Sequence, residues 1–561
     1  MSDVTANNRI ASPGNSDISF SSNCKCLTYS IKTAAAVFGT SVALYRSAER
    51  DAHMSNAGLD LVTEKPAETL TEKLKSKLSN PATASDFDLH VTVNEVLTDV
   101  GLTAADSGGK LTFYGQDPII PSPHRFGAMA AVGLAARSLA LAALWRDRTG
   151  EGQDIHVDVR KALRRFYGFF EGKWETINGR GPVMVDRNNP FWEIPLFRKT
   201  RDGRHVVGIN IYPGLHSRAV NFLKSSDSPE SVNNAILQWR ADELETAAQE
   251  AGLPFAMVRT NEEFLKVPQY TDVLSKMPLI TVEKIGESEP IPFKRKAKSP
   301  LDGIRALGMG HVIAGAAIGR DLAYYGADVL NIWRPTDTEI DAFAWDVQVG
   351  MRSTNLDASK EDRVTFDRLL KETDVFFSNR RPGYLERYGL TAEELSAQKP
   401  GLIHAKVVLN GEHGPWSNWV GFDEIGAAIS GSFAIEGTLA QPSMPPIVPF
   451  CDNVVGWLGT TGIVEALRRR ATEGGSYRVV VSLTRTVLWL LSMGIFDKAY
   501  AKEAAGSTEE HANVAPDLFT AETALGTYQG MTDQVILSRT PGAFRTVLVP
   551  RGSSKPEWLE R

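Results

Sequence analysis

Hydrophobic and polar positions between residues 300 and 335 predict a strand, a glycine-rich turn, a helix and a second strand. Four glycines fall between residues 308 and 319, and an apolar run follows at 328–333. Such a unit is typical of α/β folds, where the amino end of a helix presents free N–H groups to an anion. The pattern predicts an α/β fold with a Rossmann-like half that binds a phosphate-bearing ligand.

A second pattern occurs twice. Residues 126–145 form an Ala- and Leu-rich run, and a turn and an alternating segment, 154–159, follow it. Residues 454–470 and 479–483 repeat this arrangement about 320 residues later, which predicts a duplicated helix–turn–strand–helix unit.

The length of 561 residues predicts more than one domain. We predict a disordered or poorly defined extension over 1–64 and a first half with a small domain and connecting helices over 65–295. A Rossmann-like domain is expected over 296–500, and a C-terminal segment that packs back on the core over 501–561.

Composition narrows the function classes. A formal net charge of -6 argues against a nucleic-acid-binding protein, and 3 cysteines without metal spacing favour a reducing, cytoplasmic setting. The sequence shows neither a signal peptide nor an apolar run long enough for a membrane span.

Basic residues near the predicted strand ends favour a polyphosphate ligand. The second strand of the glycine-rich unit ends at Arg334, where a dinucleotide fingerprint requires an acid, so the pattern for NAD is weak. A structural unit with an unrelated site remains the alternative for the turn, and any single arginine can be a solvated surface residue.

The second half resembles the class III CoA-transferase family, the carnitine dehydratase and bile-acid-inducible type that includes formyl-CoA transferases and α-methylacyl-CoA racemases. In the first half, 148–153 resembles a phrase from the later portion of the family, so the chain resembles a tandem or permuted member. The matching phrases of the second half are 301–305, 326–329, 334–335, 352–357, 374–379, 381–383, 387–390, 421–423 and 430–431.

The resemblance implies a Rossmann-like CoA-binding domain with a smaller α+β domain. It also implies CoA or acyl-CoA and a carboxylic acid as substrates, no metal, and either a homodimer or a monomer with an intrachain pseudo-dimer. The residues that it assigns to CoA binding are Ile313, Ala314, Arg334, Arg352, Asn379, Arg380, Arg381 and Arg387.

The family pattern breaks at the catalytic aspartate of the transferases, whose position we expect to fall on Arg485 in the second copy and on Lys161 in the first. The related racemases use an Asp/His pair, which corresponds here to Asp452 and Phe422. Asp452 is therefore the catalytic candidate, with a helix cap as an equally weighted structural role.

Three functions follow as hypotheses. The first is an acyl-CoA-processing enzyme that transfers CoA between carboxylic acids. The second is a catalytically altered CoA-binding member, with racemase- or lyase-like chemistry or with none. The third is an NAD(P)-dependent oxidoreductase.

Overall fold

A seven-stranded sheet dominates the computed structural model, which describes residues 68–166, 171–182, 196–359 and 361–560. The predicted extension over 1–64 lies outside these residues. The strands are β1 (Leu111–Tyr114), β2 (Ile155–Asp158), β3 (Thr176–Ile177), β4 (Phe197–Lys199), β5 (His205–Gly208), β6 (Phe255–Met257), β7 (Thr281–Gly286), β8 (Arg305–Met309), β9 (Asp328–Trp333), β10 (Arg352–Asn355), β11 (Val375–Ser378), β12 (Ile403–Val408), β13 (Ser476–Ser482), β14 (Leu518–Thr523), β15 (Gly526–Met531) and β16 (Val535–Leu537).

Helices alternate with the strands along the chain. They are α1 (Leu70–Ser79), α2 (Leu89–Thr98), α3 (Phe126–Thr149), α4 (Val159–Ala162), α5 (Pro213–Leu223), α6 (Pro229–Ile236), α7 (Ala241–Glu250), α8 (Asn261–Phe264), α9 (Ala314–Tyr324), α10 (Asp341–Val347), α11 (Arg363–Leu370), α12 (Tyr384–Tyr388), α13 (Ala392–Gln398), α14 (Asp423–Ser430), α15 (Ser432–Glu436), α16 (Cys451–Glu473), α17 (Leu483–Ser492) and α18 (Lys498–Ala504).

The sheet has the strand order β10-β9-β8-β11-β12-β13-β7, with β7 antiparallel to β13 and the other neighbours parallel. After β8 the chain adds β9 and β10 on one side, and it then returns to add β11 on the other side. Ligands of such sheets bind where the strand order reverses, at the carboxyl ends of the strands. The predicted α/β fold and its glycine-rich unit, β8–α9–β9, are confirmed.

Close packing explains the glycines of this unit. A Cβ atom on Gly308 would lie 2.1 Å from the Phe377 ring of β11. A Cβ atom on Gly456 of α16 would lie 2.5 Å from Ala317 of α9. The small residues therefore let α9 and α16 approach each other and the sheet.

The two predicted helix–turn–strand units are present as α3 with β2 and as α16 with β13, and α3 packs along α16. The expectation that no apolar run is long enough for a membrane span needs correction. The helix α3, with 24 residues, is long and apolar enough to cross a membrane, yet its most apolar window is wholly buried in the protein. Its composition fits burial between other helices, because a core helix is apolar on all sides.

The turn at 202–204 joins β4 to β5, and α18 ends at Ala504. The division of the chain into domains stays a prediction.

Candidate active site

A cavity of about 750 Å³ lies at the carboxyl edge of the sheet. The turn after β8 contributes His311 and Val312, and the turn after β11 contributes 379–383. Asp452 enters from the first turn of α16, and Tyr212 enters from the residue before α5. The cavity therefore joins the glycine-rich turn to residues from both halves of the chain.

The structure brings most of the predicted site residues to this cavity. Ile313 is adjacent and buried, whereas Arg387 is exposed on α12 and does not line the cavity. The predicted residues that line it are Ala314, Arg334, Asn379, Arg380, Arg381 and Asp452.

Asn379 fixes the glycine-rich turn. Its Oδ1 accepts a hydrogen bond from the His311 N–H at 2.9 Å, and its Nδ2 donates to the His311 carbonyl at 2.9 Å. A Cβ atom on Gly315 would meet the Asn379 Oδ1 at 2.4 Å, so only glycine fits there. The turns after β8 and β11 are thus locked together beside the cavity.

Arg352 was expected near a strand end, and the structure corrects this placement. It begins β10, and its guanidinium donates to Asp328 Oδ1 at 2.9 Å and to the Glu557 carbonyl at 2.7 Å. Because β9 and β10 are parallel and Asp328 begins β9, this pair lies at the amino edge of the sheet. The side chain is therefore remote from the cavity.

Arg334 and Arg380 share one carboxylate. Asp337 accepts hydrogen bonds from Arg334 at 2.6 Å and from Arg380 at 2.7 Å. Burial raises the pKa of Asp337, but the hydrogen bonds and charges of Arg380 and Arg334 outweigh it and hold that pKa well below its ordinary value. Both guanidinium groups also lie over the Tyr384 ring, at 5.4 and 5.1 Å from its centroid. We call this part of the cavity the cationic wall, because two guanidinium groups share one carboxylate there.

Asp452 is a buried carboxyl that faces the cavity. Its side chain is not the helix cap, because Asp423 Oδ2 accepts the N–H groups of Phe450 and Cys451 at 2.5 and 2.6 Å. Burial, followed by the charges of Asp423 and Glu424, raises the pKa of Asp452 well above its ordinary value. The ionised form of such a carboxyl can act as a nucleophile or a base.

Arg485 and Lys161 do not line the cavity. The Arg485 guanidinium donates to the Met277 carbonyl at 2.8 Å, and the Lys161 ammonium pairs with Asp517 at 2.7 Å. Their identity therefore does not show that the site lacks its carboxylate.

The sequence did not predict a buried, hydrogen-bonded pair of side chains, Tyr212 and Glu339. The Tyr212 hydroxyl donates to Glu339 Oε1 at 2.7 Å, and Glu339 Oε2 accepts the Val312 N–H at 2.8 Å. Both residues line the cavity. They are 127 positions apart in the sequence, so no local pattern signals the contact.

Comparisons with known proteins show similarity over part of the chain. Residues 301–533 match the model of CoA-transferase family III. An acetyl-coenzyme A transferase of Hypoxylon pulicicidum is 32% identical over 210 residues, which are 36% of this chain and 35% of that protein. The succinyl-CoA–L-malate CoA-transferase alpha subunit of Chloroflexus aurantiacus is 30% identical over 262 residues, 42% of this chain and 58% of that protein.

A solved structure of a CAIB/BAIF family protein from Brucella suis is 26% identical and covers 34% of this chain and 55% of its own, with a TM-score of 0.31. The chain spans between about a third and about three-fifths of the length of the curated relatives named above. Residues 301–533 of this chain are thus similar to CoA-transferase family III.

Proposed function

We propose that the protein is a CoA-transferase that moves CoA between carboxylic acids, with Asp452 as the carboxylate nucleophile. The position of Asp452 carries this proposal, because it lies in the cavity that also holds the cationic wall and the glycine-rich turn. The curated relatives named above are CoA-transferases, which supports the same reaction class.

CoA fits this cavity by its chemistry. The amino end of α9, which begins at Ala314, presents free N–H groups that favour a phosphate. Arg334 and Arg380 over Tyr384 form a stacking surface for an adenine ring. Arg381 adds a cation next to it. CoA contacts of Ile313 and Arg387 stay predictions.

The reaction then follows in four balanced steps. The Asp452 carboxylate attacks the thioester carbonyl of the donor, the C–S bond breaks, and CoA thiolate leaves a mixed anhydride behind. The thiolate attacks the aspartyl carbonyl, which forms an aspartyl-CoA thioester and releases the donor acid. The acceptor carboxylate attacks this thioester and expels CoA thiolate, which finally attacks the acceptor acyl carbon and regenerates Asp452.

Mass spectrometry of the chain with acetyl-CoA and a labelled carboxylic acid tests this proposal. We expect label in the CoA thioester pool, and a hydroxylamine-sensitive adduct on the peptide that contains Asp452. The variant Asp452→Asn keeps the side-chain shape, so it should bind CoA with unchanged affinity and transfer at least about 10³-fold more slowly. Transfer at the wild-type rate by Asp452→Asn would refute the nucleophile.

A second candidate reaction is α-proton exchange on a CoA thioester, and the raised pKa of Asp452 favours it because a stronger base removes a carbon-bound proton more readily. Deuterium wash-in without acyl transfer would identify it. Thermal stabilisation by NAD(P) but not by CoA would instead support the oxidoreductase alternative.

A further inference from the structure

We infer that the Tyr212 hydroxyl, held in place by Glu339, donates a hydrogen bond to the thioester carbonyl oxygen of the bound substrate. This inference rests on the proposed CoA-thioester chemistry, but not on which of the two candidate reactions occurs. Attack by Asp452 places negative charge on that oxygen, and so does removal of an α-proton. Both reactions therefore need a donor at the same atom.

Glu339 is arranged to hold other groups in place. Its Oε1 accepts from the Tyr212 hydroxyl at 2.7 Å and from the Ile340 N–H at 3.0 Å, and its Oε2 accepts from the Val312 N–H at 2.8 Å. A carboxyl group that receives three donors has a fixed orientation. Glu339 thus fixes the Tyr212 hydroxyl relative to the glycine-rich turn.

The turn itself is in an unusual conformation. Val312 has a φ of 55°, which is costly for a β-branched residue. The hydrogen bond from its N–H to Glu339 helps to offset that cost. Strain of this kind is concentrated at functional sites, where the surrounding structure maintains it.

Tyr212 lies on the side of the cavity where Asp452 acts. Its ring stacks on Phe422 with the centroids 6.3 Å apart. Phe422 directly precedes Asp423, the residue that caps the helix of Asp452. Burial, then the charges of Glu339 and Asp452, raise the pKa of Tyr212 well above its ordinary value, so the hydroxyl keeps its proton at neutral pH.

The hydroxyl can turn its proton toward the substrate when Glu339 is protonated. Burial raises the pKa of Glu339, against the hydrogen bonds that it accepts from Tyr212, Ile340 and Val312. A protonated Glu339 donates to the Tyr212 oxygen, and the Tyr212 proton is then free for the thioester oxygen. Glu339 takes up one proton from solvent when it becomes neutral, whereas the Tyr212 hydroxyl keeps its own proton and only exchanges its acceptor.

The variant Tyr212→Phe keeps the ring stack and removes only the donor. We expect kcat for transfer or for proton exchange to fall about 10²- to 10³-fold, with KM changed less than about 3-fold. Glu339→Leu, whose side chain can neither accept from nor donate to the Tyr212 hydroxyl, should lower kcat about 10-fold alone and add little in the Tyr212→Phe background, because a positioning residue acts through the hydroxyl. Tyr500→Phe, which loses a comparable bond to Ser85 at 2.7 Å, is the matched control.

Binding of a CoA thioether that carries a nitronate group tests the inference without turnover. The nitronate places anionic oxygens where the thioester oxygen lies, so Tyr212→Phe should weaken its binding at least about 10-fold and leave CoA binding unchanged. Equal binding of the nitronate by wild type and Tyr212→Phe, or an equal loss of CoA affinity, would overturn the inference. If Tyr212→Phe binds the nitronate more weakly than the wild type, as expected, but the wild type transfers no acyl group, the proposed transferase function fails and the role of Tyr212 stands.

Discussion

Glu175 provides a sharp test of the electrostatics of the protein interior. Its side chain is 1% exposed, and neither carboxyl oxygen has a hydrogen-bond partner in the part of the chain that the structure describes. Burial and the charge of Asp346, opposed by Arg165 and Arg320, raise the pKa of Glu175 to about 8. The group is therefore protonated in the folded protein at neutral pH.

The surrounding charges explain this state. The guanidinium groups of three arginines face three aspartates, so the cluster is balanced without Glu175, and an ionised Glu175 leaves one buried negative charge in excess. The ion pairs that hold the cluster are Arg137–Asp321 at 3.0 Å, Arg137–Asp533 at 2.5 Å, Arg165–Asp346 at 3.0 Å and Arg320–Asp533 at 3.4 Å.

The sign of the pH dependence follows from the raised pKa. Between pH 4.5 and about 8 the folded protein holds a proton on Glu175 that the unfolded chain releases. The free energy of unfolding therefore falls as pH rises, by about 1.4 kcal/mol for each pH unit from this group. The whole interval amounts to roughly 5 kcal/mol as an upper bound, since hydration of the ionised form reduces the cost.

The variant Glu175→Gln removes the titration and keeps the side-chain shape. Urea unfolding of both proteins at pH 5.5, 6.5 and 7.5 should give a difference in unfolding free energy that shifts in favour of the variant as pH rises. Other raised carboxyls are present in both proteins and cancel in this difference. Parallel curves for the two proteins would refute the assignment of a protonated Glu175.

Two further predictions use the ion pairs. Arg137→Met should lower the free energy of unfolding by about 3–5 kcal/mol, because it leaves buried Asp321 without its ion-pair partner and Asp533 with Arg320 alone. The control is Arg201→Met, which removes an exposed pair at 3.7 Å from Glu243 and should cost less than about 1 kcal/mol in the same urea experiment. An equal loss in both variants would contradict this reasoning. In calorimetry, Arg334→Ala should bind CoA about 10-fold more weakly than the wild type. Arg352→Ala should bind CoA with unchanged affinity, since Arg352 lies at the amino edge of the sheet. An equal loss of affinity in Arg352→Ala would place the nucleotide elsewhere.

The glycine-rich unit was predictable because its signals are local. Parallel strands buried on both faces appear as continuous apolar runs, and glycines mark the turns where side chains do not fit. The observed elements, β8, α9 and β9, therefore fall inside the predicted segment. The antiparallel strand β7 was not predicted, because its residues at 281–286 alternate weakly and stay half-exposed.

The sequence already shows why Arg352 does not lie at the ligand edge of the sheet. An arginine that precedes a strand lies at its amino end, and in a parallel sheet all amino ends share the edge opposite the ligand. Arg334 and 379–381 follow their strands, and they do line the cavity. The contact of Tyr212 with Glu339 had no such signal, since it depends on how two distant segments pack.

The duplicated unit explains why a single helix carries the proposed nucleophile. Asp117 Oδ2 accepts the Ala128 N–H at 2.7 Å at the start of α3, as Asp423 Oδ2 accepts the Cys451 N–H at the start of α16. The next residue after Cys451 is Asp452, whereas the next residue after Ala128 is Met129, which is fully buried. A thioether cannot attack a thioester and leave again as a carboxylate does. The two copies thus share the capping geometry that orients the helix, while only the copy with α16 has a carboxylate at this position.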